Sequence, residues 1–295
     1  MKIKEGYMPF LGHKTYFRIV GENSNGKLPL LLLHGGPGST HNYFEVLDVL
    51  ASEGRQIISY DQIGCGNSFV DGHEELWNST TWLNELEALV QHLGIAKCHL
   101  LGQSWGAMMI VEGLITRKLP FVSSAILSSG TCSCNLWSRE QHRLISFMPA
   151  DEQLAIKRAE LSGNFESQDY LKANDHYTRL YACDAPTAGS PECLRRNKRF
   201  GLEAYNVAWG PNEYTPLGNL KNFEFTDRLH EISVPCLIIS GTNDESTPLI
   251  SKTMFDRIPN ADWELLEGAR HLTFVDCNEE YCRILNRWMQ SKENS

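Results

Sequence analysis

The five residues Gly102-Gln103-Ser104-Trp105-Gly106 constrain this chain more than any other stretch. They form G-x-S-x-G directly after the apolar pair Leu100-Leu101 and directly before the helix-forming run Ala107-Met108-Met109-Ile110-Val111. Strand, sharp turn and helix in that order imply a nucleophile elbow, which holds a serine out on a strained turn at the start of a helix. A side chain at Gly102 or Gly106 would crowd the neighbouring strand or helix. The positive end of the helix dipole would favour negative charge developing beside Ser104. The motif also arises by chance, so the reading depends on what else the chain supplies.

A nucleophilic serine needs a base, and the base needs an acid to orient it. On an elbow of this kind the chain order is Ser, then Asp or Glu, then His. The apolar run Pro235-Cys236-Leu237-Ile238-Ile239-Ser240 ends in Gly241-Thr242-Asn243-Asp244-Glu245, which puts Asp244 at the C-terminal end of a strand. One helix and one strand later comes Gly268-Ala269-Arg270-His271, and no other histidine follows Asp244. The C-terminal edge of a parallel sheet is where such folds gather catalytic groups. Asp244 alone would pass for a turn residue and His271 for a loop residue; order and edge placement make them the acid and base partners of Ser104. A neutral histidine base predicts activity rising with pH through about 6 to 7.

An oxyanion hole requires two backbone N–H groups. Trp105, which follows the serine, supplies one. The loop His34-Gly35-Gly36-Pro37-Gly38, directly after the strand-like Leu30 to Leu33, supplies the other, with Gly36 as the donor. Asp61 precedes Ser104 in a turn-forming segment and reads as a structural tie for its own loop. Cys65 is close in sequence and carries no assigned role.

Strand-like stretches at 14–20, 30–33, 56–60, 98–101 and 122–127 alternate with helical patterns. One of these is 80–93, where Leu83, Leu86, Leu89, Val90 and Leu93 recur at helical spacing. Alternation of this kind implies an α/β fold: a mostly parallel central sheet with helices on both faces. After about Ser133 the pattern gives way to polar, helix-like sequence with no clear buried strand. Near Val234 it resumes: strand 235–240, helix 248–258, strand 262–266, helix 278–289. The expected organisation is a core in two parts, 1–132 and 229–295, interrupted by a helical cap at 133–228. The length of 295 residues suits that plan.

A net charge of -9 argues against nucleic acid or an anionic membrane as partner. The N-terminal residues lack a signal-peptide pattern, and the densest apolar run, Leu30 to Leu33, is far too short to span a bilayer. The nine cysteines are scattered, and Cys132-Ser133-Cys134 has no second pair at zinc-site spacing, so no metal, cofactor or disulfide framework is expected. A cytoplasmic location follows as the default. Oligomeric state is not legible.

Three segments together, His34-Gly35-Gly36-Pro37-Gly38, Tyr60-Asp61-Gln62-Ile63-Gly64-Cys65-Gly66-Asn67-Ser68 and Gly102-Gln103-Ser104-Trp105-Gly106, resemble the proline iminopeptidase family of α/β-hydrolases. The resemblance extends to the tricorn-interacting aminopeptidase and related amino acid amidases. It covers nearly the whole chain, including the position of the cap. Gln103 and Ala107 depart from the Gly-Gly-Ser-Trp-Gly-Gly of many relatives, and Gln103 is the one expected to alter the pocket floor. The resemblance implies a serine aminopeptidase or amidase that releases an N-terminal residue from short peptides, amides or arylamides bearing a free α-amine. It further implies that Glu213, in the cap segment Trp209 to Tyr214, and Glu245, beside Asp244, bind the substrate amine. Tyr205 and Trp209 are then pocket walls, or else only cap packing. The rival reading is a carboxylesterase or lactonase with neutral substrates, which has no use for those two glutamates.

Overall fold

Four consecutive leucines, Leu30–Leu33, are all buried, yet they do not face the same core. Leu31 and Leu33 pack into one hydrophobic cluster with Ile58, Leu100 and Met109; Leu30 and Leu32 pack into another with Ile57, Leu101 and Ile239. Successive side chains of a strand point to opposite faces, so an uninterrupted apolar run fits only a sheet covered on both sides. The computed structural model describes residues 1–24 and 26–293. The last two residues of the expected second core part, 229–295, therefore lie outside the described residues.

The sheet has eight strands: β1 (Ile3–Phe10), β2 (His13–Val20), β3 (Leu30–Leu33), β4 (Ile57–Tyr60), β5 (Cys98–Gln103), β6 (Val122–Ser128), β7 (Cys236–Gly241) and β8 (Ala261–Leu266). Their spatial order is β1-β2-β4-β3-β5-β6-β7-β8. β2 pairs antiparallel with β1 and β4, and the pairs from β4 to β8 are parallel. The parallel strands therefore end on one edge, and the residues that follow β3, β5, β7 and β8 are the glycine loop, Ser104, Asp244 and the His271 segment. β1 was not foreseen. Of its eight residues only Met8 is buried, so it carries neither an apolar run nor a clean alternation. Its charged residues suit an exposed edge.

Flanking the sheet are α1 (Ser79–His92), α2 (Trp105–Thr116), and, later in the chain, α8 (Pro248–Phe255), α9 (Thr273–Asp276) and α10 (Asn278–Glu293). The Asn78 side chain accepts a hydrogen bond from Thr81 N–H and so caps α1. A 3-10 segment, His41–Glu53, buries Tyr43, Phe44, Leu47 and Leu50 behind the glycine loop.

Between β6 and β7 run α3 (Cys134–Ile145), α4 (Ala150–Ser162), α5 (Gln168–Tyr181), α6 (Glu192–Arg195) and α7 (Leu202–Ala208). Part of this insertion has its own hydrophobic cluster, including Leu144, Ile145, Ile156, Tyr170, Tyr177 and Tyr214. The insertion closes at its base, where Ser133 bridges Glu224 in antiparallel fashion. Cys134 N–H bonds Phe223 O at 2.9 Å and Phe225 N–H bonds Cys132 O at 2.8 Å. Among the described residues, no helix is long and apolar enough to cross a membrane.

Candidate active site

Ser104 sits at φ 55°, ψ -120°, a conformation that costs free energy for a residue with a Cβ. The surroundings force it. A Cβ on Gly102 would lie 2.2 Å from the Gly106 carbonyl carbon, and one on Gly106 would lie 2.1 Å from Leu33 O. Strand and helix thus approach more closely than any side chain allows. Ser104 N–H is fixed to Ser128 O of the next strand at 2.9 Å. α2 begins at Trp105, and the N–H groups of Ala107 and Met108 in its first turn bond Ser104 O at 2.9 and 3.2 Å, which caps the helix on the serine itself.

His271 Nδ1 lies 2.9 Å from Asp244 Oδ1. Asp244 is buried, and Oδ1 also accepts from Ser246 N–H at 2.7 Å, which fixes the carboxyl in one orientation. On the other side of the ring, His271 Nε2 is 3.5 Å from Glu245 Oε1. Glu245 is fully buried, and neither of its oxygens has a hydrogen-bond partner among the described residues. A carboxylate at this depth without hydrogen bonds is costly unless a cation stands beside it, and among the described residues the imidazole of His271 is the one within reach.

The three acids act on one another and on the histidine. Burial raises the Glu245 carboxyl to about 8, opposed by His271 and assisted by Glu213 and Asp244. Burial also raises Glu213, against His271 and the hydrogen bond from Tyr205. For His271, burial lowers the pKa, but Glu245, Asp244 and Glu213 together outweigh it and raise the imidazole to about 9. The ordinary histidine value expected from sequence does not account for this ring of carboxylates.

The glycine loop is held from behind. His34 Nε2 accepts from Gln62 N–H at 3.0 Å, and its Nδ1 lies 2.9 Å from Gly35 O. Burial pushes the ring down to about 4, so it is neutral and serves as a brace. Gln62 joins the two sides of the expected oxyanion hole: Nε2 donates to His34 O at 2.9 Å, and Oε1 accepts from the Trp105 indole at 3.0 Å. Gly36, at φ 109°, lies on the cavity wall beside Ser104. Asp61 ties its own loop, as the sequence suggests: it accepts from His41 and Asn67 N–H, each at 2.8 Å. Cys65 is buried against His34 and Gln62, outside the lining of the cavity that holds Ser104.

A cavity of about 790 Å³ lies between sheet edge and helical insertion. Ser104, His271, Gly36, Tyr205, Glu213 and Glu245 all line it. Tyr205 OH donates to Glu213 Oε1 at 2.8 Å. Trp209 does not line this cavity. It walls a small enclosed recess beside Ser104, together with Trp105, Met108, Trp137 and Glu213, and its indole N–H bonds Asn212 O at 3.1 Å. Gln103 contributes by position: Oε1 accepts from Tyr43 OH at 2.9 Å and Nε2 donates to His271 O at 3.3 Å.

Several contributors were not read from sequence. The Tyr181 carbonyl, at the end of α5, accepts from both Glu245 N–H and His271 N–H, at 3.3 and 3.0 Å. Gln141 Nε2 holds the Glu245 carbonyl at 2.8 Å. Trp137 sets its ring edge-on to His271, with centroids 5.9 Å apart, and donates to Glu213 O at 2.8 Å. None of these sits in a motif; only their fold-level placement reveals them.

The chain is 55% identical over 293 residues to the proline iminopeptidase of Clostridioides difficile (strain 630), covering 99% of this chain and 100% of that protein. It is 54% identical over 295 residues to the proline iminopeptidase of Lactobacillus helveticus (strain DPC 4571), covering 99% and 100% respectively. The chain belongs to the proline iminopeptidase family. The broader family described as alpha/beta hydrolase fold matches residues 29–276. In three dimensions the chain resembles the crystal structure of the Mycobacterium smegmatis proline iminopeptidase with a TM-score of 0.87, at 30% identity over 98% of this chain and 99% of the other. Membership of this family of α/β-hydrolases makes it a serine hydrolase. Solved esterases such as Rhodococcus sp. RhEst1, at 20% identity and a TM-score of 0.69, share its fold.

Proposed function

We infer that this chain is a serine aminopeptidase that releases N-terminal proline from short peptides, amides or arylamides with a free α-amine. The observation that carries the reading is Glu245: a buried carboxyl whose oxygens make no hydrogen bond among the described residues, in the same cavity as Ser104, with Glu213 alongside. A neutral ester or lactone offers nothing to complete that pair; a substrate ammonium does. The substrate's N-terminal proline is proposed to sit in the 790 Å³ cavity, beside Tyr205 and within reach of Glu213 and Glu245. Residues 133–228 act as the cap that supplies Glu213. A cytoplasmic setting suits small peptide substrates.

In the proposed mechanism Ser104 attacks the scissile carbonyl while His271 takes its proton and Asp244 holds the imidazole. The N–H groups of Gly36 and Trp105 receive the oxyanion. His271 then protonates the leaving amine, and water attacks the acyl-enzyme with His271 again as base. Proline p-nitroanilide should be cleaved, and its N-acetyl form at least about thirty-fold less efficiently in kcat/KM, because acetylation removes the charge that Glu213 and Glu245 hold. Equal rates on both would refute the amine-binding reading. A fluorophosphonate should label Ser104.

The pH profile tests the electrostatics separately. His271 accepts a proton only when neutral, and the acids beside it raise its pKa above the ordinary histidine value, so it holds its proton to higher pH in the free enzyme. On a small neutral ester, kcat/KM should therefore increase with pH along a limb displaced upward from the ordinary histidine value of about 6.5, toward 9. An amine substrate brings its own cation to Glu213 and Glu245 and stabilises neutral His271, so its kcat limb should lie lower. A single limb near 6.5 for both substrates would contradict the carboxylate ring.

A further inference from the structure

We propose that Lys198 determines specificity at the far end of the substrate: it receives the C-terminal carboxylate of a short peptide. The proposal rests on the aminopeptidase reading and extends it from the substrate's amine to its other terminus.

The charges lining the cavity carry the argument. Arg270 is already satisfied, with Asp184 at 3.0 Å, Asp276 at 2.9 Å and Arg179 O at 2.9 Å. His271 lies between Asp244 and Glu245. Lys198 is different. It lines the same cavity, half-buried, and no carboxylate lies within ion-pairing distance of it among the described residues. Glu45, the acid nearest in influence, is held by Arg196 at 2.8 Å and by Arg18 at 3.8 Å. The contact made by the Lys198 ammonium is with the Tyr43 ring, 5.9 Å from its centroid. Burial accordingly lowers its pKa. A cavity with two buried acids, Glu213 and Glu245, in one part and an ammonium without a carboxylate partner in another is complementary to a zwitterion, and a free peptide is one.

The position also fits. Tyr43 OH bonds Gln103 Oε1 and accepts from Gly35 N–H. Gly35 in turn abuts the nucleophile: a Cβ there would stand 3.0 Å from Ser104 Cβ. Lys198 is thus one aromatic ring removed from the loop beside the serine. Its segment is pinned to that loop and its neighbour, Gly201 N–H to Gly38 O and Gly66 N–H to Arg199 O, each at 2.8 Å. Each leaving-group residue carries the terminal carboxylate about 3.5 Å further from the scissile bond, so a fixed cation selects for chain length. Ammonium and carboxylate pair with charge-assisted hydrogen bonds in a partly desolvated place.

The test compares Pro-Ala and Pro-Ala-Ala as free acids and as C-terminal amides, in wild type, Lys198→Met and Lys198→Arg. Wild type should favour at least one free acid over its amide by roughly tenfold or more in kcat/KM, chiefly through KM. Lys198→Met should bring that ratio to within about twofold, and Lys198→Arg should keep most of it. A wild-type ratio near one for both peptides overturns the proposal, as does a ratio that survives Lys198→Met. Proline p-nitroanilide, which has no carboxylate, separates the two levels. Its cleavage without any acid preference sinks Lys198 alone. Failure to cleave it or either amide sinks the aminopeptidase reading and this proposal with it.

Discussion

Replacing Ser104 by alanine is expected to lower kcat for proline p-nitroanilide by about 10⁶, the scale on which serine hydrolases depend on their nucleophile. Ser104 is the hydroxyl carried at the start of α2, opposite the glycine loop. Cys183, the thiol that lines the cavity with Ser104, is raised to about 11 by burial, and Cys65 is buried behind His34 with its pKa pushed well up. Alanine removes one oxygen and keeps the Cβ that already tolerates φ 55°, so the melting temperature should shift by no more than a few degrees. The variant should also lose fluorophosphonate labelling. One tenth of the wild-type activity remaining would mean that the mechanism is wrong.

Glu245→Gln and Glu213→Gln are expected to cut kcat/KM for proline arylamides by roughly thirty-fold or more. Truncating one partner of a buried charge pair typically costs about 2–5 kcal/mol, and the substrate ammonium would be that partner. A small neutral ester should not share the loss. For Glu245→Gln the ester should gain at neutral pH, because the carboxylate 3.5 Å from His271 Nε2 is the foremost of those holding the base protonated. Its rising limb should move down toward the ordinary histidine value. Two substrates responding in opposite directions to one substitution cannot arise from misfolding. An equal drop on both would instead indicate a disturbed Asp244 or a distorted cap. No drop on either would return the advantage to the esterase reading.

The elbow, the chain order of Ser104, Asp244 and His271, and the parallel sheet were legible because each is written locally, in a glycine spacing, a strand end or an apolar run. β1 was not, since an edge strand with one buried residue leaves almost no pattern. The electrostatics were not legible either. The raised pKa of His271 depends on Glu213 arriving from the helical insertion and on the Glu245 carboxyl standing 3.5 Å from its ring, and spacing reports neither. Lys198 is hidden in sequence among Arg195, Arg196 and Arg199. Only the fold shows that Arg196 is paired with Glu45 and Glu192, that Arg199 lies over Phe69, and that Lys198 faces the cavity.

The shared Tyr181 carbonyl has a consequence for how this enzyme can diversify. One oxygen of the insertion receives the N–H groups of both Glu245 and His271, so the insertion is stitched into the loops that carry the chemistry. A cap grafted from a relative would have to reproduce that oxygen's place before the histidine stood correctly. Wholesale exchange of the insertion is therefore a poor evolutionary route here. New preferences would come one side chain at a time, from residues such as Tyr205 and Phe200, which line the cavity proposed for substrate, and Trp209, which walls the recess beside Ser104.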